Sequence, residues 1–199
     1  DGSFYSESRR FLRSIDDPRF WTLEFPRRGQ FETVNSLLCL TQTEYVALLS
    51  DDDWWEPTFL EKAVKALDDN PMAVVAYADF WRWQDGAKTS RSASAHCFAD
   101  RDLIADRCPV NTSAALMTWT SLLAIEREFG HIYDPRLKIA ADWLLWIRLI
   151  RNAPFVHVHE PLSNYLQWEG SVTSKEHYTR FFEEIQCRSE ADNPFSIWH

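Results

Sequence analysis

Three consecutive carboxylates, Asp51-Asp52-Asp53, follow the apolar run YVALLS and precede Trp54-Trp55. A short, wholly apolar run reads as a buried strand. The triplet therefore falls where a strand leaves its sheet, and in open α/β sheets ligands bind outside the carboxyl ends of strands. Adjacent carboxylates repel one another unless a cation offsets them. Oxygen-only donors suit hard divalent ions such as Mg2+ and Mn2+, which also bridge to substrate phosphates. The competing reading is helix capping, because acids ahead of a helix favour the positive end of its dipole; it accounts for one Asp of the three, or two. His157 and His159 alternate on one face of FVHVH (155–159) and could ligate a metal. No third ligand is evident, so an ordinary packed pair is the simpler reading. Cys39, Cys97, Cys108 and Cys187 lie far apart with no CxxC pair, which reads as reduced thiols rather than a disulfide or zinc framework.

Such a cluster needs rigid elements behind it. FYSESRRFLRSI (4–15) reads as a short amphipathic helix, WTLEF (21–25) as a strand, and residues 31–42 carry apolar residues at near-helical spacing. Pro57 to Asp69 forms a well-marked helix with a stripe of Phe59, Leu60, Ala63, Val64 and Leu67, ended by Asn70-Pro71. MAVVAYA (72–78) is a second buried strand, and the polar stretch 84–96 reads as a surface loop. A strand then a helix ending before Gly130 fill 111–129; a helix at 137–151, the strand FVHVH and a final amphipathic helix at 174–190 follow. Apolar strands alternating with helices predict an α/β fold with a mainly parallel sheet, helices on both faces. No linker or repeat divides the 199 residues, which suits one domain with a real core.

Composition removes several classes. A net charge of −9, with a pI near 5.1, argues against a nucleic-acid partner. No apolar run reaches the ~18–20 residues needed to cross a bilayer. At 45% hydrophobic and 26% charged, with ten Trp, the chain is neither disordered nor fibrous.

The stretch YVALLSDDDWWEPTFLEKAVKALDDNPMAVVAYADF resembles the centre of a family 2 glycosyltransferase of the GT-A fold: strand, acidic motif, helix, strand. Other segments agree in order. DGS (1–3) resembles the end of a nucleotide-binding DDGS motif, and Gly29 and Asn35 fall at a Gly-rich turn and an Arg-Asn pair. YDPRLKIAADWLLWIRLI resembles the FDxxL…EDWxLWLRL segment, and EPLSNYLQWEGSVTS the closing segment. The resemblance covers residues 1–175. It implies a nucleotide-binding half (1–80), an acceptor-binding half (81–175) and a C-terminal helix and tail (176–199). It further implies that the strand and helix of roughly 35–40 residues which open the family's domain precede Asp1, so that this domain is incomplete at its N-terminus and binds donor poorly.

The implied chemistry is transfer of a sugar from a nucleotide-diphosphate donor to a hydroxyl of a glycan, lipid-linked or other acceptor, with inversion, in the cytoplasm or at the inner face of a membrane. By the same resemblance Asp52 and Asp53 hold Mn2+ or Mg2+, Asp1, Asp51 and Asn35 contact the nucleotide-sugar, and Asp142 is the general base. A sugar hydroxyl is a poor nucleophile until its proton is accepted, and a metal offsets charge on a departing diphosphate. Apart from the resemblance, Asp142 is also simply an acid in a first helical turn. Trp54, Trp55, Phe80, Trp81 and Trp83 read first as core and pocket wall, with sugar stacking as the alternative. Four positions depart from the family pattern: Val34, Ala141, Leu166 and Trp168 stand where Arg, Glu, Arg and His are usual. A catalytically inert sugar- or partner-binding domain is therefore the leading alternative, and a metal-dependent hydrolase a more distant one.

Overall fold

The computed structural model describes residues 6–26, 28–92, 108, 110–168 and 177–192. Asp1 and Cys97, named above, lie outside them. Two short helices come first, α1 (Ser6–Arg13) and α2 (Gln30–Leu38). Then follow β1 (Tyr45–Ala47), β2 (Trp54–Trp55), α3 (Phe59–Asp69), β3 (Val75–Gln84) and β4 (Ala87–Ser92). A 3-10 turn at Thr112–Ala114 leads into β5 (Ala115–Thr118) and α4 (Trp119–Phe129). The last described elements are α5 (Ala141–Asn152), β6 (Phe155–Leu166) and α6 (His177–Ala191).

The strands form one sheet in the order β1-β5-β3-β6-β2, with β4 paired to β3. The α/β class expected from the sequence holds, with one correction to the pairing. Among the described strands only β3 and β6 run parallel, while β1–β5, β5–β3, β3–β4 and β2–β6 are antiparallel. The parallel pair is the one whose ends are joined through a long crossover containing α5, as parallel pairing requires. YVALL and MAVVAYA, the two apolar runs, do not pair with each other, because β5 lies between them: Met117 faces both Val46 and Val75.

Two further expectations are overturned. WTLEF forms no strand: Trp21 is 80% exposed and the segment has no ladder partner among the described residues. Strand propensity without an adjacent strand to pair with leaves the backbone to water. The polar stretch after Gln84 is a strand rather than a loop over Ala87–Ser92. Asp85 (φ 52°) and Gly86 (φ 77°) supply the two left-handed residues of a tight hairpin whose twist suits antiparallel strands, and a strand flanking a sheet tolerates Lys, Thr and Ser.

Successive residues of β3 feed two cores. Val75 and Tyr77 join Phe155 and α5 on one face, while Ala76 and Ala78 join Val156, Leu162 and α3 on the other. On α3, Phe59, Ala63 and Leu67 are buried, one stripe of the helix. Helix α5 is different: from Trp143 through Ile150 every residue is buried, with Trp146 at 0% exposure. A helix buried on every face must be covered on all sides, and α5 lies between the sheet and α6, with its buried Arg148 paired to Glu190. Its interior position is what gives Asp142, at its first turn, a fixed address.

Candidate active site

The acidic triplet sits in the turn between β1 and β2, which are consecutive in the chain but stand at opposite ends of the sheet order. Asp51 is exposed, and Asp52 and Asp53 are half-buried. Asp53 is tied to the sheet: its Oδ1 accepts the Leu166 backbone N–H of β6 at 3.1 Å. Burial pushes its carboxyl above the ordinary aspartate range, opposed by hydrogen bonds from Ser113 and the Leu166 N–H and reinforced by the charges of Asp52 and Asp51. Asp52 accepts the indole N–H of Trp168 on Oδ2 at 3.1 Å.

Asp142 lies in the first turn of α5. Its Oδ2 accepts the Thr112 hydroxyl at 3.0 Å, and its Oδ1 the Trp143 N–H at 2.7 Å. Burial raises its carboxyl above the usual range; those hydrogen bonds pull the other way, and the negative charge of Glu183 adds to the rise.

The link between the two carboxylate groups is the 3-10 turn. Thr112 holds Asp142. The next residue, Ser113, accepts the Ser50 N–H at 3.2 Å and hydrogen-bonds the Asp53 carboxylate. The Ser113 carbonyl takes the Trp55 indole N–H and the Ser163 hydroxyl. Asp53 and Asp142, 89 residues apart in sequence, are thus held by two consecutive residues. Thr112 and Ser113 were not singled out in the sequence. The available signal was Asn111, whose side-chain oxygen accepts the Ser113 N–H at 2.8 Å, the local turn that Asn-X-Ser sequences favour.

Asn35 is placed differently. Its amide donates to the Tyr133 carbonyl at 2.7 Å and accepts the Tyr133 N–H at 2.9 Å, tying α2 to the segment before α5. His157 gives no metal pair with His159: its Nε2 lies 2.9 Å from Asp79, itself held by Arg91. Among the described residues no three His, Cys, Asp or Glu side chains converge as a ready metal cage. The carboxylate oxygens of this turn are nevertheless the donor type that a hard cation takes. Asp52 keeps Oδ1 after Trp168 has taken Oδ2, and Mg2+ is commonly held by one or two carboxylates, substrate phosphates and water.

Trp54 and Trp83 pack at 5.2 Å between ring centroids beside this turn, and the Trp83 indole N–H reaches Asn164 at 2.8 Å. Trp54 is 40% and Trp168 52% exposed, so two indole faces near Asp52 meet solvent, while Trp55 packs on Phe59 as core.

The model of glycosyl transferase family 2 matches residues 1–122, a span that includes Asp51 to Asp53 and ends before Asp142. Among solved structures, Staphylococcus aureus TarS 1-349 in complex with UDP-GlcNAc superposes with a TM-score of 0.64 at 17% identity, covering 85% of this chain and 48% of that one. A second structure of S. aureus TarS gives 0.59 at 15% identity, over 84% of this chain and 28% of that one. This chain thus spans less than half the length of the solved relatives it matches. No curated protein matches it in sequence. The likeness in structure establishes a GT-A-type fold.

Proposed function

The chain belongs to glycosyl transferase family 2, and from that premise we propose that it transfers a sugar from a nucleotide-diphosphate donor to an acceptor hydroxyl. The observation that carries the proposal is the pair Thr112-Ser113, which fixes Asp142 and the acidic triplet to consecutive residues. Donor and acceptor must meet across one sugar, so the groups that handle each must be held close and rigid.

In this reading Asp52, with Asp53 behind it, would hold Mn2+ or Mg2+, which when bound offsets the charge on the diphosphate. Asp51 and Asp1 flank the nucleotide, and Asn35 contributes through the amide capacity that Tyr133 leaves. Asp142 accepts the acceptor's hydroxyl proton as its oxygen attacks the anomeric carbon and the diphosphate leaves from the opposite face, which inverts that centre. A carboxylate lifted above the ordinary range is a stronger base for this step. Ser113 and Thr112 keep the two halves in register.

TarS was solved with UDP-GlcNAc, so UDP-GlcNAc is the first donor to test. A screen of nucleotide-sugar hydrolysis and transfer, with and without Mn2+, should give turnover that Asp142→Asn removes. A second reading, an inert sugar-binding domain, draws on Trp168 engaging Asp52 and on Ala141 beside Asp142. Donor binding by calorimetry without turnover under any condition of the screen would select it.

A further inference from the structure

Helix α5 begins badly on its own account. Its cap residue is Ala140, which offers no side-chain acceptor, and N–H groups at the start of a helix need partners. The cap residue's N–H and the two N–H groups before it find their partner on α6. Glu183 of α6 is buried, at 6% exposure. Its carboxylate accepts the N–H groups of Lys138, Ile139 and Ala140 at 2.8, 2.8 and 2.9 Å. One turn further along α6, the Cys187 thiol reaches the Ala140 carbonyl at 3.6 Å. At the other end Arg148 of α5 pairs with Glu190 at 2.9 Å, and Arg151 donates to the Glu190 carbonyl. Helix α6 therefore grips α5 at both ends, and the run of N–H groups held by Glu183 ends two residues before Asp142.

We propose that Glu183 is a positioning residue for Asp142: it fixes the turn that delivers the chain into α5 and so aims the carboxylate held by Thr112. The proposal rests on the base role assigned to Asp142 above. It also assigns the last described helix, beyond the residues that the family model matches, a part in the reaction. A carboxylate from α6 stands near Asp142 where the local sequence offers only Ala141.

The experiment compares the whole chain with Glu183→Gln, Glu183→Asp, Glu183→Ala and Asp142→Asn, using UDP-GlcNAc turnover, UDP with Mn2+ in calorimetry, and hydrogen exchange at the amides of 138–140. In Glu183→Gln the exchange at these three amides should quicken and kcat should fall roughly 10-fold, and in Glu183→Ala on the order of 100-fold, since small misplacements carry costs of that size. Affinity for UDP should stay within about two-fold, and Glu183→Asp should recover part of kcat. The acid limb of kcat should also move to lower pH in Glu183→Gln, because a negative charge that helps raise the Asp142 carboxyl is gone. The other titratable groups around Asp142, namely Tyr133, Cys108 and Cys187, are unchanged. Full kcat in Glu183→Gln, with Asp142→Asn inactive, would overturn the proposal alone. Undisturbed exchange at 138–140 would overturn it too. An active Asp142→Asn would instead overturn the base assignment, and the proposal with it.

Discussion

At the scale of single residues, the two carboxylates stand in different surroundings, and the proposed reaction assigns them different work. Asp142 has protein around it and a raised carboxyl; Asp52 sits at the surface of its turn with one oxygen held by an indole N–H. Asp142→Asn keeps the shape and removes proton acceptance, so kcat should drop on the order of 10²–10⁴-fold with little change in donor KM. In the wild-type protein activity should rise with pH through the carboxyl of Asp142, at a midpoint above the ordinary aspartate range, because only the ionised form accepts a proton. A kcat that is flat from pH 4 to 8 would contradict this. Asp52→Asn should abolish the Mn2+-dependent part of UDP binding in calorimetry. Asp53→Asn should weaken it less, since Asp53 already has one oxygen on the backbone of β6 and acts through the loop. Equal losses in the two variants would show that both bind the ion directly.

At the scale of elements, the hairpin and the buried helix carry the lessons. Gly86 has φ 77° and nothing within 4 Å of an added Cβ, so Gly86→Ala meets backbone strain alone. It should cost about 1 kcal/mol, seen as a melting temperature lower by about 2–4 °C, while UDP binding stays unchanged. The β4 strand was not legible because its residues, AKTSRS, are polar and weak in strand propensity. Pairing with β3 and the Asp85-Gly86 turn decide the matter instead. WTLEF failed in the opposite sense, having the propensity and lacking the partner. Helix α5 was legible from the dense apolar residues of LKIAADWLLWIRLI, although the first four residues of that stretch lead into the helix rather than joining it. That Glu183 holds the segment leading into it could not be seen, because 43 residues separate Ala140 from Glu183.

At the scale of the whole molecule, an ion network joins α5, α6 and the segment between α4 and α5. Asp134, buried, is held by Arg136 at 2.6 Å, with His131 and Arg148 at 3.6 and 3.9 Å, and Arg148 continues to Glu190. The Arg136 guanidinium, first among these, pulls the Asp134 carboxyl down to about 2. Its folded value lies below the unfolded value of about 3.9. The associated stability is therefore present above pH ~4 and is lost as pH falls toward 2. With Arg136 largely in solvent, the contribution is about 1–2 kcal/mol. Denaturant titrations at pH 7 and pH 2.5 should show Asp134→Asn losing more stability at the higher pH; an equal loss at both would deny the ion network its part. Among the described residues no helix is long and apolar enough to cross a membrane.

The order of apolar strands and helices determined the fold class, and the Asp51-Asp52-Asp53 run after YVALLS placed the candidate site at a strand end, because burial and charge repulsion act locally and leave a mark on neighbouring residues. Asp142 was reached through likeness to a family rather than through its own surroundings. Only the tertiary structure decided which strands are neighbours, since a ladder is a property of two segments and not of one. It also decided that Thr112 and Ser113 tie Asp142 to the triplet, and that Glu183 completes the start of α5. Hydrogen bonds of 3.0 and 3.2 Å between residues 30 and 63 positions apart depend on where the packed core puts each backbone, and no periodicity or composition records them.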